Sequence, residues 1–128
     1  MTITPLLDHE REIPELQGHS VGFIDTQTQC DSLIQQLNAA EITESAITVF
    51  SGEFGTERFE QTMQGHLWGE AAEDLLARGT LELSYGHLAL MIESQDRSQA
   101  ALVADISTKL GGHSFYYFGE LTDERLTR

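Results

Sequence analysis

The chain has 128 residues, 40% of them hydrophobic, with 21 acidic against 7 basic side chains and a formal net charge of −14. That length allows one domain with a real core, and the acidic excess argues against nucleic acid and anionic membrane surfaces, which both select basic charge. Cys30 is the single cysteine, which excludes an internal disulfide framework and fits a reducing, cytoplasmic setting, and no apolar run or leader pattern suggests a membrane span or an export signal.

Residues 1–20 hold both prolines, Pro5 and Pro14, and show no sustained period. They read as an N-terminal arm, with Leu6, Leu7, Ile13 and Leu16 able to dock on a neighbouring surface. Val21-Gly22-Phe23-Ile24-Asp25 reads as the first strand. Thr26 with Gln29 three positions later is a capping-box pattern. Cys30, Leu33, Ile34 and Leu37 then form one apolar face of a helix ending near residues 38–40. On that face Cys30 reads as a small buried hydrophobe.

Ala46-Ile47-Thr48-Val49-Phe50-Ser51 is β-branched and alternating, a second strand. Gly52-Glu53-Phe54-Gly55 reads as a loop; no lysine follows it, so it is no phosphate cradle. Between about 56 and 85 the pattern favours one long helix. Trp68, Ala72, Leu75, Leu76 and Leu83 line one side, Glu70, Glu73 and Asp74 lie opposite in solvent, and Gly86 is the stop. Gly79 interrupts this helix at a cost of about 1 kcal/mol relative to Ala. The alternative is a strand over Leu81, Leu83 and Tyr85.

Residues 88–93 form the third strand. Asp96 caps a second amphipathic helix, with Gln99 at the capping-box position and Leu102, Val103, Ile106 and Leu110 on its apolar stripe. Gly111-Gly112 ends it, and residues 114–118 form the fourth strand. The tail, 120–128, adds a helical turn after Thr122.

The order β-α-β, helical insert, β-α-β implies an α+β ferredoxin-like two-layer sandwich, with a four-stranded antiparallel sheet over residues 21–119 and both long helices on one face. Phe115, Tyr116, Tyr117 and Phe118 put two aromatics on each face of the fourth strand. The face away from the helices needs a cover: the insert, the arm or a second subunit. A homo-oligomer, a dimer in the first instance, is the expectation.

Three stretches carry a resemblance: Val21-Gly22-Phe23-Ile24-Asp25-Thr26, Val49-Phe50-Ser51-Gly52, and Gly-Gly-His-Ser-Phe-Tyr-Tyr-Phe-Gly at 111–119. Through them the chain, over about residues 20–122, resembles small bacterial proteins of unknown function related to general stress protein 17M-like domains. The resemblance implies a regulatory or stress-related role without catalysis, and it carries no catalytic residues.

Four of the five histidines follow a glycine: His19, His66, His87 and His113. In the expected fold the third and fourth strands begin where the first ends. His87, His113 and Asp25 therefore share one end of the sheet, with His66 and Glu53 leaving the second strand there and His19 at the opposite end. One intervening strand separates His87 from His113 by about 10 Å at the backbone. The plain reading is that a glycine closes each element and the histidine opens the next, so no cofactor is required. The sharper alternative is a small-ligand or divalent-metal site formed by Asp25, His66, His87 and His113, since imidazoles plus a carboxylate suit Zn²⁺ or a similar ion. Nucleophile motifs such as Gly-x-Ser-x-Gly are absent from the sequence, so a non-enzymatic domain is expected.

Overall fold

The protein is described by a computed structural model over residues 16–64, 70–119 and 123–125. Most of the N-terminal arm, His66 and Trp68 lie outside the described residues. The elements are β1 (His19–Ile24), α1 (Gln27–Ala39), a 3-10 turn (Glu44–Ala46), β2 (Ile47–Phe50), α2 (Gly52–Gln64), α3 (Glu70–Ser84), β3 (Leu88–Glu93), α4 (Arg97–Lys109), β4 (His113–Phe118) and β5 (Asp123–Arg125). They build an α+β fold on one antiparallel sheet in the order β2-β3-β1-β4-β5.

The capping signals act as their chemistry requires. The Thr26 hydroxyl accepts from the Gln29 amide at 3.1 Å, and the Gln29 carbonyl oxygen accepts from the Thr26 amide at 3.2 Å. At α4 the Asp96 carboxylate accepts from the Gln99 amide at 2.8 Å, but the Gln99 side chain reaches one residue further back, to the Gln95 amide. Leu16, at the end of the arm, is buried in the core.

The sheet divides the interior into two cores. On one face Cys30, Leu33 and Leu37 of α1 and Val103 of α4 pack on Ile24, Leu88, Leu90, Ile92 and Phe115. Burial pushes the Cys30 thiol up from its ordinary pKa, and the Asp31 charge adds to this, so the thiol stays protonated. On the other face Phe59 and Met63 of α2 and Ala72, Leu75 and Leu83 of α3 pack on Val21, Phe23, Ala89, Met91, Tyr116 and Phe118. The layering is therefore helix–sheet–helix, and the expected two layers become three.

The structure refines the expected arrangement in several details. The sheet gains a fifth strand: Asp123–Arg125 pairs with β4 where a helical turn was expected. Gly52–Gly55 is not a loop but the first turn of α2. The insert is two helices rather than one, while its last stretch is helix to Ser84, as the favoured reading expected, rather than the alternative strand. Of the three covers considered for the Tyr116 and Phe118 face, the insert supplies one, through α3. Asp74, expected to be merely solvated, accepts a hydrogen bond from the Tyr116 hydroxyl at 2.5 Å and ties α3 to β4.

Gly79 is explained by the α2–α3 packing. A Cβ placed there would stand 2.0 Å from the Phe59 ring, which itself meets Phe23 and Phe50 edge-on. The hairpin closes only because position 79 has no side chain.

A histidine–carboxylate cluster at one end of the sheet

Each member of the cluster arrives by a separate local rule. Asp25 follows the last residue of β1. By strand alternation it continues the face of Val21 and Phe23, the face that α3 covers. His87 precedes β3 and continues the same face through Ala89 and Met91.

His113 needs a further device. Simple alternation along β4 would put it with Phe115, on the opposite face. The β1–β4 register shifts between Val21↔Tyr116 and Phe23↔His113, so Ser114 and Phe115 together oppose Gly22. Ser114 holds φ at +58°. This bulge turns His113 over to stand beside Phe23, with ring centroids 6.3 Å apart.

Glu82 comes from the last turn of α3. Gly86, at φ +85°, ends that helix in a Schellman turn. The Gly86 amide donates to the Leu83 carbonyl, and the His87 amide donates to the Glu82 carbonyl at 3.1 Å. This folds His87 back over Glu82, and their side chains meet with 2.7 Å between His87 Nδ1 and Glu82 Oε1.

The Glu82 carboxylate also takes His113 Nε2, at 3.0 and 2.9 Å from its two oxygens. Asp25 Oδ1 lies further off, 3.5 Å from His87 Nδ1 and 3.8 Å from His113 Nε2. One ligand atom from each of Asp25, Glu82, His87 and His113 can be chosen so that all lie within 4.8 Å of one another. The two imidazoles, separated by a strand, have centroids only 6.5 Å apart.

His113 Nδ1 is 3.2 Å from the Gly111 carbonyl, which only accepts, so the geometry suits Nδ1–H donation. Nε2 faces the Glu82 carboxyl, and a proton shared between them or a metal ion in its place satisfies both groups. Burial pushes the Glu82 carboxyl up, but the hydrogen bonds and charges of His87 and His113 outweigh it and hold its pKa below the ordinary glutamate value.

The sequence-derived set therefore comes together in three of its four members, Asp25, His87 and His113. His66 lies outside the described residues. His19 pairs with Glu93 and Phe118 at the far end of β1. Glu53 is exposed in the first turn of α2 and is not in the cluster. Glu82 is the addition. Its signal was present in the sequence, because in a Schellman turn the residue after the glycine contacts the third residue from the helix end. With Gly86 as the stop, those residues are His87 and Glu82.

No described helix is long and apolar enough to cross a membrane. Comparison of the chain with protein-family models, with curated proteins and with solved structures gives no match.

Proposed function

We propose that this chain is a divalent-metal-binding module of the Zn²⁺ class, carried on a ferredoxin-like sandwich whose second face is covered by the inserted α2–α3 hairpin. The strand order β2-β3-β1-β4 with every pairing antiparallel supports the sandwich. The observation that carries the function is the convergence of two imidazoles and two carboxylates on one point.

The donor chemistry selects the ion. Two nitrogens and two carboxylate oxygens suit Zn²⁺ and its borderline neighbours, whereas Ca²⁺ and Mg²⁺ prefer all-oxygen shells. A tetrahedral zinc centre with ligands at about 2.1 Å sets its donor atoms about 3.4 Å apart. The Asp25 approaches, 3.5 and 3.8 Å, are near that spacing. The Glu82 contacts of 2.7 to 3.0 Å have hydrogen-bond length, and an ion replacing the shared protons moves that carboxylate outward by about 0.5 Å. Gly111 supplies the outer support: its carbonyl fixes the His113 tautomer and leaves Nε2 as the ligand atom. The regulatory or stress-related role suggested by resemblance adds no residue to this site.

Cobalt(II) titration of untagged protein tests the reading, because a tetrahedral nitrogen–oxygen shell absorbs visible light far more strongly than aqueous Co²⁺ and at shifted wavelengths. One tight equivalent per chain, lost in Glu82→Gln, is the expected result. A featureless titration overturns it.

A further inference from the structure

We infer that Asp25 is an exchangeable ligand of this centre, and that the position it occupies accepts a small exogenous anion with an oxygen donor, a carboxylate or hydroxamate. The inference rests on the metal-binding reading above. The four donors are not equivalent. Glu82 is 15% exposed, His87 29% and His113 28%, whereas Asp25 is 50% exposed. Glu82 stands on the last turn of a helix and bonds both rings. His87 is held by its backbone bond to Glu82, and His113 by its Nδ1–H bond to Gly111. Asp25 lies in the two-residue connection between β1 and α1, and approaches both rings at more than hydrogen-bond length.

An ion gripped by Glu82, His87 and His113 thus presents its solvent side to the least anchored donor. Three anchored ligands and one position facing water are the arrangement of an open rather than a closed zinc centre. In the exchange the Asp25 oxygen–metal bond breaks, the incoming oxygen–metal bond forms, and the Asp25 carboxylate returns to water. An incoming carboxylate exchanges one monoanion for another on the ion with no proton or electron moved, whereas acetohydroxamic acid binds as its anion and releases its O–H proton to solvent. Asp25 therefore acts as an internal competitor whose removal strengthens binding of the outside anion.

The test loads the untagged full chain with Co²⁺ and titrates acetohydroxamate into wild type, Asp25→Ala and Glu82→Gln, following the visible spectrum. Asp25→Ala is expected to keep Co²⁺ within about tenfold of wild type and to bind acetohydroxamate about tenfold tighter, while Glu82→Gln loses about 100-fold in Co²⁺ affinity. Asp25→Asn, which keeps the side-chain volume, holds Co²⁺ in the same way. If Asp25→Ala loses Co²⁺ as severely as Glu82→Gln, Asp25 is a fixed ligand and the inference is overturned. It is also overturned if acetohydroxamate leaves both spectra unchanged or binds both proteins equally. Wild type that takes up no Co²⁺ defeats the metal reading itself, a result distinct from either.

Discussion

Glu82 stands between two imidazoles, and its ionisation is tied to theirs. In metal-free protein its lowered pKa contributes stability that is fully present above the ordinary glutamate value. That contribution is lost as the pH falls through the lowered value, where the folded state must also take up the proton. Urea unfolding across the acidic range is therefore expected to show a shallower loss of stability in Glu82→Gln than in wild type; equal slopes would contradict the pairing. At the same scale, Ser114 holds a left-handed backbone while buried. Ser114→Val forces a β-branched residue into that region, at a cost of about 1–3 kcal/mol. Ser114→Gly accepts the same φ without strain. Zinc affinity should follow the bulge, falling in the valine variant and holding in the glycine one, as read by competition with a chromogenic chelator.

At the scale of elements, the α2–α3 hairpin covers one face of the sheet and also delivers Glu82 to the site. Helix propensity alone makes Gly79→Ala stabilising by about 1 kcal/mol. The Phe59 ring, 2.0 Å from the added methyl position, reverses this, and overpacking of this kind costs about 1–3 kcal/mol. Thermal unfolding of Gly79→Ala is expected to show a lowered Tm; a raised one would mean the hairpin opens to admit the methyl. Strands and capped helices were legible in the sequence because Thr26, Gln29 and Asp96 act locally. The division of the insert was not, since the stripe from Ala72 to Leu83 lies within α3 alone and leaves out Phe59 and Met63, the α2 residues that pack beside it. Nor was the bulge at Ser114, because nothing in Gly-Gly-His-Ser-Phe marks the serine as a second left-handed residue after Gly111. Simple alternation therefore points His113 to the wrong face, while Asp25 and His87 follow their strands correctly.

For the whole molecule, the sheet carries one core on each of its faces. The site draws on the β1–α1 connection, α3, and the openings of β3 and β4, so an ion there joins the insert to three parts of the sheet. The net charge of −14 favours cations around the surface, but weak surface binding does not single out one position. Zinc at 100 times its dissociation constant should stabilise the folded state by about 2.7 kcal/mol, seen as a rise in Tm that the His87→Ala/His113→Ala variant lacks.

Isothermal titration of Zn²⁺ into untagged protein, wild type beside His87→Ala/His113→Ala, measures that centre directly. One tight site per chain is expected in wild type, and none in the double variant. Absence of a tight site in wild type, or its survival when both imidazoles are gone, would contradict a metal centre at this end of the sheet.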